Sequence, residues 1–263
     1  DPSVRLSAAN TNGNYIGIPS NTELEALDDA SGGTASIWVK FNSAGASGSY
    51  VNLIGLGTTG ASGFKAGIFR YTTSGNIYWN IVHADGSHSY LTTQSENIGH
   101  WQHYAITWKE DEFKAYLNGV QVGSTDTTSG TISAINTATV NGDSLCGIIG
   151  CEATNTAENA DMEVADARIY DGVLEKEDIA IIASKIRSEP SLVSASSDLL
   201  LQYKLDGTDI SSTTLTNAEG TSARNGIIKE HDGPANKYTL VRDAYSVNVQ
   251  DPYDGSDAAT RTQ

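Results

Sequence analysis

The chain has 263 residues, of which 38% are hydrophobic and 18% charged, and its formal net charge is −16. This length and composition allow a buried core without metal or disulfide cross-links, and they argue against a disordered protein. The excess of acidic residues argues against binding to nucleic acid and to anionic membranes, since both require clustered lysine and arginine.

Short alternating or apolar runs, separated by glycine, asparagine, serine and threonine, predict β-strands along most of the chain. In residues 34–41, Ile37 and Val39 share one face of the predicted strand and Trp38 occupies the other. Asn118-Gly119 predicts a tight hairpin, because its turn requires positive φ at both positions. The other predicted strands cover residues 50–56, 64–71, 76–84, 100–109, 113–122, 144–149, 163–170 and 198–205.

One helix, near residues 174–187, interrupts this series of strands. Leu174, Ile179, Ile182 and Ile186 recur at helical spacing, acidic residues crowd the start, and a proline follows the end. Many strands with a single helix predict an all-β fold, an antiparallel two-sheet sandwich.

Three segments carry a joint pattern: residues 101–108 (WQHYAITW), 115–120 (AYLNGV) and 166–179 (DARIYDGVLEKEDI). In this order and spacing they resemble the tryptophan strand, the following hairpin and the closing strand of laminin-G-like and pentraxin-like domains, which belong to the concanavalin A-like lectin/glucanase class. The resemblance covers residues 4–187 and implies a jelly roll. Glu175 stands where these domains usually carry a capping serine.

The segment after Pro190 is harder to place. Residues 199–207 (LLLQYKLDG) resemble a strand that usually precedes the opening strands of such domains, yet here they follow the helix. We expect a laminin-G-like jelly roll at residues 1–190 and a C-terminal extension at 191–263 that adds strands to the same sandwich, because an exposed apolar strand edge is a liability. The alternatives are a truncated second module, or pairing with another subunit in a homo-oligomer, a virion or an extracellular assembly.

The resemblance implies glycan binding, because lectin-like sandwiches hold sugars on a sheet face or at loop tips. Aromatic rings stack on the sugar, and amides and carboxylates bind its hydroxyl groups. Alternation in residues 77–83 separates Tyr78 and Asn80 from the apolar set. The alternative is that these aromatics are ordinary cross-strand pairs, which stabilise any sheet. The candidate ligand-binding residues are Tyr50, Asn52, Arg70, Tyr71, Tyr78, Asn80, His88 and Tyr90.

The resemblance also implies calcium, since pentraxin-like members supply acidic and amide ligands from a loop after an Ile-Ile-x-Gly strand. Here residues 148–150 (IIG) lead into an acidic loop, and hard oxygen ligands suit Ca²⁺. The spacing departs from the pentraxin pattern, and a solvated acidic loop is the alternative. The candidate ligands are Glu152, Asn155, Glu158 and Asp161.

A catalytic role is a third interpretation, because related sandwiches include retaining glucanases that aim paired carboxylates into a cleft. Asp161, Glu163 and Asp166 stand on one predicted strand, but their spacing is not the glucanase motif. Asp166 faces away from the other two unless a bulge intervenes, and retaining hydrolysis needs two carboxyl groups about 5 Å apart. A structural closing strand is the favoured interpretation.

The histidines and cysteines add no catalytic signal. His103 matches the structural histidine of the family, and we expect it to be a core residue with its hydrogen bonds satisfied. His83 and His88 flank a predicted turn, but no third zinc ligand is evident. Cys146 and Cys151 are expected to be free thiols, because a disulfide would need a tight turn between them.

The sequence therefore predicts a non-catalytic, lectin-like module of a secreted or surface-displayed protein, with a glycan or polysaccharide as its partner. A structural or host-adhesion protein of a virion or extracellular assembly is the alternative, and a glycoside hydrolase or lyase is the least favoured. No membrane insertion is expected, since the longest apolar run covers only residues 179–183. The chain opens with Asp1 and Pro2, and we expect a processed or excised product.

Overall fold

Among the residues that it describes, a computed structural model of the chain shows two sheets, two short α-helices and a 3-10 helix. Within residues 88–90, 92–95, 126, 229–230 and 239–241 only the backbone is described. No helix among the described residues is long and apolar enough to cross a membrane. The described residues are 3–6, 14–27, 32–43, 50–57, 64–71, 73–95, 97–126, 135–140, 142–151, 160–184, 193, 198–206, 208, 210–211, 214–230 and 239–241.

The strands follow one another along the chain with few helical interruptions. The helices are α1 (Thr22–Glu25), α2 (Lys176–Ile182) and the 3-10 helix Ser222–Arg224. The strands are β1 (Ser3–Leu6), β2 (Asn14–Pro19), β3 (Gly33–Phe41), β4 (Tyr50–Leu56), β5 (Ala66–Tyr71), β6 (Asn76–Val82), β7 (His88–Ser95), β8 (Gln102–Lys109), β9 (Glu112–Leu117), β10 (Val120–Asp126), β11 (Ala138–Val140), β12 (Asp143–Ile149), β13 (Met162–Asp171), β14 (Leu199–Tyr203), β15 (Ile210–Ser211), β16 (Thr214–Leu215), β17 (Gly226–Glu230) and β18 (Thr239–Val241).

The strands form two antiparallel sheets. The first sheet has the order β10-β9-β8-β3-β13-β1-β18, with β14 also paired to β13. The second has the order β15-β16-β17-β2-β12-β4-β5-β6-β7, with β11 beside β12. This arrangement confirms the predicted all-β, two-sheet jelly-roll sandwich.

The inner faces of the two sheets share one hydrophobic core. Ile37, Val39 and Phe41 of β3 contribute from the first sheet, as their alternation predicts. Trp79 of β6 contributes from the second sheet, and its indole nitrogen donates a 2.9 Å hydrogen bond to the carbonyl oxygen of Ala105 in the opposite sheet. The large aromatic side chain therefore joins the two layers without leaving its polar atom unpaired.

The predicted hairpin turn is present between β9 and β10. Asn118 and Gly119 have φ values of 51° and 80°, the conformation that this turn requires. The Asn118 side chain accepts a 2.9 Å hydrogen bond from the backbone nitrogen of His103. A Cβ on Gly119 would lie 3.0 Å from the Cα of Ala180, so the turn packs closely against α2.

Helix α2 covers part of the outer face of the first sheet. It ends at Ile182, with Ala183 as its C-cap, so it is shorter than the predicted 174–187; residues 185–192 lie outside the described part. Glu175 is the N-cap and makes no capping hydrogen bond through its side chain. The helix and its flanks share a buried cluster with strand residues: Ala105, Tyr116, Tyr170, Leu174, Ile179, Ile182, Val193 and Leu199.

The described strands after α2 pair within the chain. Tyr203 of β14 lies opposite Ala167 of β13, and Ile228 of β17 lies opposite Ile16 of β2. Arg224 adds a polar connection, since its guanidinium donates a 2.7 Å hydrogen bond to the carbonyl oxygen of Leu200. Residues after 190 thus contribute strands to both sheets.

Candidate functional site

Four aromatic side chains lie together on the outer face of the second sheet, and we call Tyr50, Phe69, Tyr71 and Tyr78 the aromatic face. They come from β4, β5 and β6, three neighbouring strands. In the strand register Tyr50 is opposite Tyr71 and Phe69 is opposite Tyr78. Alternation along β5 directs Ile68 into the core and Phe69 away from it.

The rings of the aromatic face contact one another in a continuous row. The centroids of Tyr50 and Tyr71 are 4.8 Å apart, and those of Tyr50 and Phe69 are 5.4 Å apart in an edge-on arrangement. Phe69 and Tyr78 are stacked, with centroids 5.1 Å apart. Tyr50 is 45% exposed, and the other three are half-buried. The row is a preformed apolar surface in contact with solvent.

A covered region of the same outer face lies beside the aromatic face. It consists of a second small cluster: Tyr15, Phe64, Val140, Leu145, Ile148 and Cys151. Phe64 lies directly over Gly55, where a Cβ would approach the Phe64 ring to 2.4 Å. The described residues therefore divide the outer face into a part closed by Phe64 and its neighbours, and the aromatic face, which they leave partly exposed.

Two predicted ligand residues, Asn52 and Asn80, lie at the border between these two parts. The side-chain nitrogen of Asn52 donates to the carbonyl oxygen of Cys151 at 2.9 Å. That of Asn80 donates to the carbonyl oxygen of Phe64 at 3.2 Å. Both side chains are more than nine-tenths buried. Their amides hold the covering segments against the sheet.

Arg70 lies on the opposite face of β5 from Tyr71. Its side chain is fully buried, and its guanidinium carbon stands 5.2 Å from the ring centroid of Phe41 in the core. The structure thus separates Arg70 from the predicted tyrosines, although all of them come from adjacent strands.

The backbone of β7 continues the sheet beside β6. Tyr90 pairs with Asn80 and His88 pairs with Val82. The side chains of His88 and Tyr90 lie outside the described part, so their roles stay predictions.

Phe69 is a member of the aromatic face that the sequence analysis did not single out. The sequence did indicate its position, because Phe69 and Tyr71 are two residues apart on a predicted strand and so share a face. What the sequence did not show was the register that brings Tyr50 and Tyr78 against this pair.

The calcium prediction falls mostly outside the described residues. Glu152, Asn155 and Glu158 are not described. Asp161 accepts hydrogen bonds from the Arg5 guanidinium at 2.8 and 2.6 Å, and this partner lowers the pKa of the Asp161 carboxyl. Among the residues that the structure describes, no group of three histidine, cysteine or acidic side chains could hold a metal ion.

The three carboxylates of the closing strand each have a basic partner. Glu163 lies 2.8 Å from the Lys40 ammonium nitrogen. A bulge does intervene before Arg168, and Asp166 adopts a φ of 46° there. Asp166 forms a fully buried two-point ion pair with Arg168, with oxygen–nitrogen distances of 2.9 and 2.8 Å. Asp161, just before β13, and Glu163 and Asp166 within it consequently form three separate ion pairs.

His103 is a core residue, as expected, but its hydrogen bonds are not satisfied as expected. It is fully buried, and among the described residues neither ring nitrogen has a hydrogen-bond partner. Burial, with a smaller contribution from the charge of Arg168, lowers the pKa of His103 to about 3. The neighbour across the strand pair is Trp38, whose ring centroid lies 5.5 Å from that of His103.

Both cysteines are buried thiols that form no disulfide. Burial raises the pKa of the Cys146 thiol to about 12, and its sulfur donates to the carbonyl oxygen of Pro19 at 3.1 Å. Because the thiolate is the reactive form, Cys146 is a packing residue.

Solved structures show the same fold at low sequence identity. A candidate carbohydrate-binding protein from Bacteroides ovatus is 15% identical, with a TM-score of 0.64 over 92% of this chain and 60% of its own. The chain therefore spans three-fifths of that structure's length. The binding domain of the Paraclostridial Mosquitocidal Protein 1 is 16% identical, with a TM-score of 0.50 over 69% of this chain and 42% of its own.

A heptameric pentraxin from Limulus polyphemus is 16% identical, with a TM-score of 0.48 over 70% of this chain and 82% of its own. No curated protein matches the chain. The family model described as the concanavalin A-like lectin/glucanases superfamily matches residues 10–180, which is more than half of the chain. The chain belongs to the concanavalin A-like lectin/glucanases superfamily.

Proposed function

We propose that the chain is a non-catalytic carbohydrate-binding module that holds a glycan on the aromatic face. The observation that carries the proposal is the row of four rings in mutual contact, with Tyr50 45% exposed. Aromatic side chains that present an apolar body and a polar tip are common binding anchors. A sugar combines apolar C–H surfaces with hydroxyl groups, and this row offers both kinds of contact.

The four side chains of the aromatic face are already held in place by their mutual contacts, and this favours binding. Each ring packs against at least one other ring, so its rotamer is restrained before a ligand arrives. Ordering a side chain on binding costs about 0.5–1.5 kcal/mol, and a restrained ring avoids part of that cost. The hydrogen bonds of Asn52 to Cys151 and of Asn80 to Phe64 likewise hold the neighbouring chain segments in place before a ligand arrives.

The ion pairs of the closing strand support a role without catalysis. Retaining hydrolysis requires one carboxyl group that stays protonated as the general acid near neutral pH. Arg5 lowers the pKa of Asp161, so this group is ionised. Asp166 is fully buried against Arg168 and out of reach of a polysaccharide.

The assembly alternative has less support than the glycan-binding module. One argument for it was that the apolar strand at residues 199–205 could pair with another subunit, whereas β14 pairs with β13 of its own chain. Secretion or display on a surface remains part of the proposal, because a binding module for polysaccharides meets its ligand there.

Binding to a glycan array by single-residue variants tests the proposal. Tyr50→Ala and Tyr78→Ala each remove one ring of the row, and we expect each to weaken binding about tenfold or more, the loss typical of an aromatic anchor. Val120→Ala is the matched control, since Val120 is 68% exposed at the hairpin tip of the other sheet. Equal binding by all four proteins would overturn the aromatic face as the site.

A further inference from the structure

The region that carries the aromatic face is poor in basic residues. Residues 50–95, which include β4 to β7, contain only two lysine or arginine residues, Lys65 and Arg70. Arg70 is fully buried and directed into the core. Lys65 is therefore the remaining cation of this region.

Lys65 lies away from the aromatic face. It stands four residues before Phe69, roughly 13 Å along an extended chain. The covering residue Phe64 and the close packing over Gly55 lie between them. The Lys65 side chain instead lies beside Gly57, where a Cβ would approach its Cγ to 2.6 Å.

The negative net charge of the whole chain also disfavours the binding of acidic ligands. With a formal net charge of −16, the chain repels polyanions over distances up to the Debye length, about 8 Å at physiological salt. Recognition of carboxylate or sulfate groups normally relies on arginine or lysine at the contact. No such contact is available on the described part of the aromatic face.

We infer that the aromatic face selects neutral oligosaccharides or polysaccharides and rejects acidic ones. This inference rests on the proposed glycan-binding function. Among the described residues, the polar groups that accompany the rings include the tyrosine hydroxyls and the amide of Asn76, which pairs with Tyr71 in the strand register, and these groups are uncharged. Such groups match sugar hydroxyls, which both donate and accept hydrogen bonds.

The extent of the row favours a chain of sugars over a single one. The rings occupy three adjacent strands, and two strand intervals amount to roughly 10 Å. This distance exceeds the width of one pyranose ring, so a linear oligosaccharide contacts the row more completely than a monosaccharide.

Paired polymers that differ only in charge test the inference. The purified 263-residue chain is titrated with neutral glucans, mannans, galactans and xylans, and with the carboxymethylated or sulfated form of each. We expect at least one neutral polymer to bind, its charged form to bind about tenfold more weakly, and Tyr78→Ala to lose the binding. The affinity for the neutral polymer should change little between about 50 and 500 mM NaCl, over which the Debye length falls about threefold.

The outcomes separate the two proposals. If a charged form binds as tightly as its neutral parent, and Tyr78→Ala abolishes that binding, the selectivity is overturned and the glycan site stands. If no polymer binds, or if binding is insensitive to Tyr78→Ala, the proposed function itself fails.

A variant with an added cation tests whether the lack of a positive charge on the aromatic face causes the rejection of acidic polymers. Asn76→Arg places a positive charge beside Tyr71, and we expect several-fold tighter binding of the carboxymethylated polymer. Val120→Arg, which adds the same charge at the exposed hairpin tip of the other sheet, should leave the preference for neutral polymers unchanged. An Asn76→Arg protein that still rejects the charged polymer to the same degree would contradict the missing cation as the cause.

Discussion

Phe69 and Tyr78 lie face to face on adjacent strands, with ring planes only 8° from parallel. Each ring therefore contributes both to the folded state and to the proposed binding surface. A stacked aromatic pair is worth about 0.5–1.5 kcal/mol beyond the burial of its area. We expect this coupling energy in a double-mutant cycle of Phe69→Ala and Tyr78→Ala, measured by urea unfolding. Additive losses of stability in the double variant would show that the stacking contributes nothing of its own.

The buried His103 gives the fold a sensitivity to acid. Its pKa is lowered to about 3 in the folded chain from 6.5, so the unfolded chain binds more protons between these values. Its contribution to stability is fully present above about pH 6.5 and is lost as the pH falls towards 3, by roughly 1.4 kcal/mol for each pH unit.

Comparison with His103→Phe isolates this effect, since the ring is kept and the titration is removed. Urea unfolding at pH 7, 6, 5 and 4 should show a steeper loss of stability for the wild-type chain than for the variant. Parallel curves would mean that His103 does not titrate in this window.

The ion pair between Asp166 and Arg168 is fully buried, with no exposure of either side chain. Asp166→Ala leaves the guanidinium charge without its partner, and we expect a loss of about 3–5 kcal/mol in the free energy of unfolding. Asp161→Ala is the matched control, because Arg5 and Asp161 have side chains 43% and 21% exposed. That pair should be worth at most about 1 kcal/mol. Similar losses in the two variants would contradict the role given to burial.

Leu201 tests whether the C-terminal segment belongs to the same cooperative unit. It is fully buried in the shared core, so Leu201→Ala should cost about 2–5 kcal/mol and lower the main thermal transition. Leu200→Ala, at the half-buried neighbouring position, should cost less. A main transition that is unchanged in Leu201→Ala would show that β14 unfolds separately from the sandwich.

Calcium binding by the loop at residues 152–161 remains a prediction from the sequence. If the loop holds the ion, millimolar Ca²⁺ should raise the melting temperature, and a chelator should reverse the rise. A ligand at about 100 times its Kd stabilises the folded state by about 2.7 kcal/mol. The double variant Glu152→Gln and Glu158→Gln should lose the response. A melting temperature that does not respond to Ca²⁺ in the wild-type chain would end the calcium prediction.

Much of the sandwich followed from local patterns. The alternation in β3 and β6 and the turn at Asn118-Gly119 predicted strands, inward faces and a hairpin, because these features depend on neighbours in sequence. The short strand β1 and the edge strand β7 were not singled out. Four residues are too few for a periodic signal, and β7 is largely polar.

Less of the candidate site than of the fold could be predicted from the sequence. Alternation alone places Arg70 with Ile68 on the inner face, yet Arg70 was named as a candidate ligand-binding residue, a role that requires access to solvent. The pairing of Tyr50 with Tyr71 depends on the register between β4 and β5, which is set by packing across the sheet. The bulge at Asp166 reverses the expected direction of its side chain, and a single sequence carries no periodic signal for a bulge.

The pairing of β1 with β13 has a consequence for how the chain folds. The Ser3 hydroxyl donates to the Glu163 carboxylate from 160 residues away along the chain, and Val4 pairs with Val164. Closing so large a loop carries an entropic cost before any contact compensates it, and topologies dominated by distant pairings fold in milliseconds to seconds. Strand β1 leaves the ribosome well before β13 and thus has to wait for it, and during synthesis the apolar residues of β1 depend on other partners or on chaperones.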